Sequence, residues 1–272
     1  PVVSVDKSAA SLRYDEADWK GVIRAIGDLQ TDINSVTGIK PKLLTTETMS
    51  DYEIVVGTLG KSKLIDQLVK AKKLDVKDLK GKWESFVITT IPNPQPNAKK
   101  WLVIAGSDKR GTIFGIYELS RQLGVSPWYW WADVPAKKRQ SAYVLAGRYT
   151  SGEPKVKYRG VFINDEAPCL TSWVKNTYGT NYGDHKFYSR VFELILRLKG
   201  NYLWPAMWSW SFYADDPLNS QVADEMGVVV GTSHHEPMAR NHQEWTRKRK
   251  EHGAWNYAKN KKVLDQFFQT GI

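Results

Sequence analysis

Three short segments in the second half of the chain gather side chains that can carry chemistry. They are Asn164-Asp165-Glu166, the run from Trp204 to Trp210 with its three indoles, and His234-His235-Glu236. Carboxylates can give and take protons and can accept hydrogen bonds from hydroxyl groups. Indoles offer large flat apolar faces with one N–H donor. These residue types would suit an acid/base site with an aromatic wall that packs against a sugar ring.

Each of the first two segments also has a purely structural interpretation. The acidic group at 164–166 could be a turn at the end of a strand, with carboxylates that cap a helix. The indoles at 204–210 could be a hydrophobic plug in the core. The sequence leaves these alternatives open.

The segment His234-His235-Glu236 invites a zinc interpretation, because imidazoles and carboxylates are zinc ligands. Neighbouring side chains on an extended chain point to opposite sides, so both imidazoles cannot readily bind one ion. The motif His-Glu-x-x-His is absent, since Ala239 stands where its second histidine would be. We therefore expect no metal. We expect one imidazole and Glu236 to line a polar pocket that holds a carboxylate or a hydroxyl.

A regular order of elements should position these segments. Strands are predicted over 158–163, 202–204 and 227–231, and helices over 187–198, 221–226 and 242–268. Asp215-Asp216-Pro217 predicts a turn and a helix start. Each chemical segment then lies just past the carboxyl end of a strand, which is where α/β barrels carry their active sites. The handedness rule makes the three βα units adjacent and parallel.

The first half has a different pattern and holds no segment that looks catalytic. Helices are predicted over 15–37, 64–69 and 112–123, and strands over 52–56, 83–91, 101–105 and 143–145. No glycine-rich phosphate loop follows a strand. Ser151, Gly152 and Pro154 indicate a linker. We therefore predict an α/β fold with two domains, a small N-terminal α/β domain over 1–150 and three βα units of an incomplete (β/α)8 TIM barrel over 151–272.

Composition excludes some classes of protein. The chain has a formal net charge of +10, mostly from lysines scattered over its first half. It has no arginine-rich arm or helix-turn-helix pattern, so we expect no nucleic-acid partner. No apolar stretch is long enough to predict a membrane helix. The single cysteine, Cys169, excludes an internal disulfide, and we expect it to be a small buried side chain.

Three motifs together resemble glycoside hydrolase family 115, the xylan α-1,2-glucuronidases. They are Arg159-Gly-Val-Phe-Ile-Asn-Asp-Glu166, Asn201-Tyr-Leu-Trp-Pro-Ala-Met-Trp208 and Gly231-Thr-Ser-His-His-Glu-Pro-Met238. Their order and spacing are similar to the first three barrel strand ends of that family. The first half, with Gly111-Thr-Ile-Phe-Gly-Ile-Tyr-Glu118 and Trp128–Trp131, is similar to the small domain that precedes the barrel.

The resemblance implies an enzyme that releases glucuronic acid, or its 4-O-methyl ether, from xylan by an inverting mechanism. By motif position, Asp165, Trp208 and His234 are implied to bind the glucuronate. Asn164, Glu166, Trp204, His235 and Glu236 are weaker candidates. The catalytic residues are not identified; the general acid is expected downstream of Ile272. The chain alone is therefore expected to be inactive.

The resemblance also sets expectations about partners and location. Glucuronoxylan or its oligosaccharides would be the substrate, without a cofactor. The protein would be secreted or periplasmic, and the full-length form could be a homodimer. Two alternatives of other classes remain. One is a carbohydrate-binding or scaffold protein that uses the tryptophan-rich strand ends without catalysis; the other is a metal-dependent hydrolase centred on His234, His235 and Glu236.

Overall fold

The computed structural model describes residues 1–45, 50–92, 94–96, 98–164, 168–179, 183–205, 210–232 and 236–272. The chain forms two compact units. The first comprises residues 1–157 and 196–199, and the second comprises residues 158–195 and 200–272. No helix in these described ranges has both the length and the apolar content needed to cross a bilayer.

The first unit is a six-stranded sheet with helices packed on it. Its elements are β1 (Ser11–Arg13), α1 (Lys20–Thr37), β2 (Leu43–Leu44), β3 (Tyr52–Thr58), α2 (Lys63–Lys70), β4 (Phe86–Pro92), β5 (Lys100–Gly106), α3 (Lys109–Leu123) and β6 (Arg148–Ser151). The strand order is β2-β1-β3-β5-β4-β6. The first four strands of that order are parallel, and β4 pairs antiparallel with both β5 and β6.

Apolar spacing explains the helices of this unit. Along α1, Val22, Ile26, Leu29 and Ile33 recur at steps of three and four residues, and all are buried. Gly38 ends this helix in the left-handed conformation with φ 75°, which glycine adopts without steric cost. The sequence therefore predicted α1 correctly, although the helix begins at Lys20 rather than near residue 15.

A buried ion pair joins β1 to β3. Arg13 binds Glu53 through two hydrogen bonds, Nε to Oε2 at 2.5 Å and Nη2 to Oε1 at 2.8 Å. The exposed fractions of the two side chains are 4% and 0%. Burying an unpaired charge costs desolvation free energy, and pairing with the opposite charge offsets that cost for both Arg13 and Glu53.

The predicted strand at 143–145 is wrong. Tyr143 and Leu145 are exposed, and the last strand of the sheet is β6, which ends at Ser151, the first of the residues interpreted as a linker. The edge of β4 pairs with this later and more polar stretch, in the register Val87 to Thr150. An edge strand such as β6 is held by backbone hydrogen bonds and does not require apolar side chains. The apolar residues at 143–145 therefore did not indicate a strand.

The second unit holds three parallel strands in the order β7-β8-β9 among its described residues. Its elements are β7 (Gly160–Phe162), α4 (Cys169–Tyr178), α5 (His185–Arg197), β8 (Tyr202–Trp204), α6 (Phe212–Asp215), α7 (Leu218–Met226), β9 (Val229–Val230), a 3₁₀ turn (Pro237–Ala239), α8 (His242–Arg247), α9 (Arg249–His252) and α10 (Tyr257–Gln269). The βα order and the parallel pairing are those predicted, so the α/β fold class is confirmed.

Aromatic side chains form much of the core of this unit. Phe187, Tyr188 and Phe192 of α5 are buried, and the ring of Tyr188 lies 4.8 Å from that of Phe212, centroid to centroid. These rings hold α5 and α6 together. The helix was predicted from apolar residues at steps of three and four, and these are only partly buried: Phe187, Val191 and Ile195 lie in the core, whereas Leu198 is exposed.

Two expectations for this unit are wrong. The long helix predicted over 242–268 is three helices, because Gly253 takes φ 80° after α9 and Asn256 caps a new helix by accepting the Lys259 N–H. Cys169 is exposed in the first turn of α4, a helix that was not predicted. That helix buries only Val174, so it carries no apolar periodicity.

Candidate active site

The carboxyl ends of β7, β8 and β9 are level with one another. Phe162 pairs with Trp204, and Leu203 pairs with Val230. Past these pairs, the Ile163 N–H donates to the Trp204 carbonyl and the Gly231 N–H donates to the Leu203 carbonyl, both at 2.9 Å. The connections that start at Asn164, Pro205 and Gly231 therefore leave one edge of a single sheet.

A motif residue fixes the opposite end of the same strands. Asn201 is fully buried, and its side-chain oxygen accepts the Arg159 N–H at 2.9 Å. Its own N–H donates to the Arg159 carbonyl at 2.7 Å. Asn201 thus sets the register of β7 against β8 and takes no part in chemistry at the carboxyl edge.

Trp204 lies at the end of β8 and packs against a neighbouring aromatic ring. The centroids of Trp204 and Phe162 are 4.7 Å apart at an interplanar angle of 44°. The indole Nε1 of Trp204 is buried and has no hydrogen-bond partner among the described residues. Since an unpaired buried donor is costly, this N–H is available to an acceptor of a ligand or of water.

Glu236, after β9, belongs to a buried polar cluster. It is 8% exposed and accepts a short hydrogen bond from the side-chain nitrogen of Asn241. That nitrogen also donates to the Trp210 carbonyl at 2.9 Å, and the Asn241 oxygen caps α8 by accepting the Gln243 N–H at 2.7 Å. The carboxylate is therefore held in place, which also holds the end of the segment that carries the two histidines.

Tyr213 completes this cluster. Its hydroxyl donates to the Val230 carbonyl at 3.3 Å. Burial raises the pKa of the Tyr213 phenol, and the nearby Glu236 and Tyr202 raise it further. The hydroxyl therefore stays a neutral donor around pH 7. Gly231 leaves room for Tyr202, because a Cβ at position 231 would lie 1.7 Å from the Tyr202 hydroxyl oxygen.

Ion pairs and hydrogen bonds of Asp215 and Asp216 stabilise the connection that follows β8. Asp215 accepts the Ser211 N–H at 2.8 Å and pairs with Arg247. Asp216 binds the His185 ring at 2.6 Å and accepts the Leu218 N–H at 2.9 Å. Burial would raise the pKa of Asp216, but hydrogen bonds from His185 and Leu218 lower it overall. The predicted turn and helix start at 215–217 is confirmed.

The structure describes only some of the predicted site residues. Asn164 is exposed, Trp204 is half-buried and Glu236 is buried. Asp165, Glu166, Trp208, His234 and His235 lie outside the described residues, so their role in a site stays a prediction. In the sequence, each of these five follows β7, β8 or β9 by a few residues.

Sequence reasoning missed Tyr213 and Asn241. Asn241 could have been found, because an asparagine before a run of helix formers predicts an N-cap. Tyr213 gave no such signal, since its contact with Val230 spans 17 residues. Within the described ranges no group of three His, Cys, Asp or Glu could hold a metal ion.

Sequence comparison connects both halves of the chain to carbohydrate-active families. Residues 151–272 match the sequence model described as glycosyl hydrolase family 115. Residues 7–119 match the model described as glycosyl hydrolase family 67 N-terminus. No curated protein matches the chain.

Solved structures give a further comparison. A family 115 4-O-methyl-α-glucuronidase, described as specific for decorated arabinogalactans, is 34% identical with a TM-score of 0.79. The match covers 96% of this chain and 33% of that protein, so the chain spans about a third of its length. A Streptomyces plicatus β-hexosaminidase mutant with bound GlcNAc is 14% identical with a TM-score of 0.46, over 82% of this chain and 41% of that one.

Proposed function

Because this chain belongs to glycoside hydrolase family 115 through residues 151–272, we propose that the protein is a glycosidase that releases glucuronic acid or its 4-O-methyl ether from an acidic polysaccharide. The observation that carries the proposal is the level carboxyl edge of β7, β8 and β9. In the sequence, all eight predicted site residues fall at the end of one of these strands or in the segment that follows it. Barrel enzymes bind and cleave their substrates at that end of their strands.

The proposed chemistry is hydrolysis with inversion. A general acid protonates the leaving oxygen while a general base takes a proton from a water on the other face of the sugar. Trp208 would pack on the apolar face of the uronate ring, and a protonated His234 would pair with its carboxylate. Asp165 would accept hydrogen bonds from ring hydroxyls. Glu236 and Asn241 would not contact the sugar; they would position the segment that carries His234 and His235.

The polysaccharide itself is a separate part of the proposal. The motifs resemble enzymes that act on glucuronoxylan, whereas the similar solved enzyme is described as specific for decorated arabinogalactans. Recognition of the uronate by itself would not distinguish these two polysaccharides. We propose glucuronoxylan as the substrate and a secreted or periplasmic location, because this polysaccharide lies outside the cell. A homodimer is proposed for the full-length protein.

The test is kinetic and uses a full-length family 115 protein that carries this chain. It should release glucuronate from a glucuronosyl xylo-oligosaccharide. Asp165→Ala and His234→Ala should each lower turnover at least about tenfold, or roughly 1.4 kcal/mol of transition-state stabilisation. Glu16→Ala, at an exposed position of the first unit, is the matched control. Wild-type rates in the two site variants, with folding intact, would remove those residues from the site.

The same assay separates the alternatives. A carbohydrate-binding or scaffold protein would bind the oligosaccharide but release no glucuronate. A metal-dependent hydrolase centred on His234, His235 and Glu236 would contain zinc in stoichiometric amount and lose activity with a chelator. Release from arabinogalactan fragments but not from glucuronoxylan would keep the glycosidase and reject the xylan assignment.

A further inference from the structure

The first unit has a cavity of its own at the carboxyl ends of its parallel strands. Its volume is about 330 Å³, within the range of small-ligand sites. It is lined by Trp19 on the β1–α1 connection, by Lys61 after β3 and by Lys109 after β5. The strand order β2-β1-β3 reverses between β1 and β3. Open α/β sheets bind ligands in the crevice at such a reversal.

Two lysines and an exposed indole meet in this cavity. The ammonium of Lys61 lies 4.2 Å from the ring centroid of Trp19, and that of Lys109 lies 5.3 Å from it. The indole is 39% exposed. Attraction between ammonium and ring keeps both charges beside the aromatic surface. A ligand in this cavity would therefore contact the exposed surface of the Trp19 indole and two ammonium groups.

The carboxylates nearby are already engaged by backbone donors. Asp108 accepts the Gly111 N–H at 2.7 Å and the Glu84 N–H at 2.8 Å. Asp18, which is buried, accepts the N–H groups of Trp19 and Thr58, each at 2.7 Å. Burial raises the pKa of Asp18. These acids stabilise turns and a helix start, and Arg110, which also lines the cavity, pairs with Glu84.

The same contacts argue against a phosphate site. Phosphate sites at strand ends commonly use the first backbone N–H groups of a helix. At α3 the Gly111 N–H already donates to the Asp108 side chain, so this backbone donor is not available to a phosphate. Recognition must then come from side chains, which suits a carboxylate attached to a ring.

We propose that this cavity binds a uronic-acid unit of an acidic polysaccharide, with the sugar ring against Trp19 and its carboxylate between Lys61 and Lys109. The choice of a uronate as the ligand rests on the function proposed above, although binding in this cavity would not itself require hydrolysis. The cavity would hold the polymer on the protein between cleavage events, because a second contact raises the effective concentration of the chain.

Nuclear magnetic resonance of the whole chain tests the site directly. The chain has 12 tryptophans, and the indole signal of Trp19 is the one missing from the spectrum of Trp19→Phe. A glucuronate-bearing xylo-oligosaccharide should shift that signal. A neutral xylo-oligosaccharide of equal length and inorganic phosphate should not. No shift with the acidic sugar, an equal shift with the neutral sugar, or an equal shift with phosphate would each overturn the proposal.

Charge reversal gives the second arm of the test. Lys61→Glu combined with Lys109→Glu should weaken binding at Trp19 by about tenfold or more. A glutamate at position 109 lies in the first turn of α3, where negative charge is favourable to the helix. Lys72→Glu combined with Lys80→Glu, at exposed positions of the same unit and with the same change in net charge, should change affinity less than about twofold. Equal losses in both variants would mean that binding follows net charge and not this cavity.

Discussion

Glu118 is a residue whose hydrogen bonds connect the stability of the first unit to pH. It accepts from Arg121 at 2.6 Å, from Lys199 at 2.7 Å and from Gln122 at 2.8 Å. Burial would raise the pKa of Glu118, but these three donors lower it to about 2. The folded state therefore favours the ionised carboxylate.

The sign of the pH effect follows from that shift. An unfolded glutamate titrates near its ordinary pKa, so the stabilisation is fully present above that pKa and is lost as the pH falls toward 2. We predict that the difference in free energy of unfolding between wild type and Glu118→Gln shrinks by about 1 kcal/mol between about pH 5 and pH 3.5. Urea denaturation at each pH measures it. A difference for Glu118→Gln that does not change with pH would reject the assignment.

The sequence predicted the positions of Trp204 and Glu236 relative to the strands, but it did not predict the residues that they contact. Trp204 was expected to stack on a sugar or to fill the core, and the structure shows its ring packed on Phe162 with a free indole N–H within the described part of the chain. Glu236 was expected to line a pocket, and it is bound by Asn241. Such partners come from residues on different elements, and neither spacing nor residue type reports them.

At the scale of elements, α3 shows that a family motif can reflect packing alone. Gly111 and Gly115 lie on the face of α3 that meets the sheet. A Cβ at Gly111 would lie 2.3 Å from the Ser85 carbonyl oxygen, and one at Gly115 would lie 2.8 Å from Ile104 Cγ2. The glycines let the helix approach β4 and β5 closely, so this motif indicates fold and not chemistry.

Two glycine substitutions in neighbouring helices should therefore act in opposite directions. Gly115→Ala should destabilise the first unit by about 1–2 kcal/mol, because crowding against Ile104 exceeds the gain in helix propensity. Gly27→Ala in α1 has no atom within 4 Å of its new methyl group and should stabilise by up to about 1 kcal/mol. Urea denaturation compares both with wild type. If Gly115→Ala is as stable as wild type, Ile104 can move to accommodate the new methyl group with no loss in the free energy of unfolding.

Elements with strong periodicity were predicted and weak ones were not. The helices α1, α3 and α5 and the hairpin of β4 and β5 carry apolar residues at regular spacing. The strands β1 and β2 are too short to show alternation, and β6 is an edge strand with polar side chains. The break after α9 was readable in principle, since Gly253 and Asn256 are a helix stop and a helix start.

At the scale of the whole molecule, the charge is unevenly distributed along the chain. Most of the formal net charge of +10 lies in the first 150 residues. The lysines that supply much of it are exposed, as expected for a solvated face; they are Lys61, Lys63, Lys70, Lys72, Lys73, Lys77, Lys80 and Lys82. Such a surface attracts acidic polymers without selecting among them.

This general attraction should be separable from specific recognition by salt. We predict that retention of the protein on immobilised glucuronoxylan falls steeply as ionic strength rises, because exposed charges more than a Debye length apart are screened. Retention on a neutral xylan should be weak and nearly independent of salt. Strong retention on both matrices at high salt would mean that apolar stacking dominates and that net charge contributes little.

The level edge of β7, β8 and β9 also bears on how such proteins diverge. The strands and Asn201 define a frame that has little freedom to vary, whereas the three connections that begin at Asn164, Pro205 and Gly231 carry most of the candidate site residues. Selection for a new polysaccharide would then alter the length and composition of those connections first. Relatives that act on different decorated glycans should differ in these three connections and should keep the same strands.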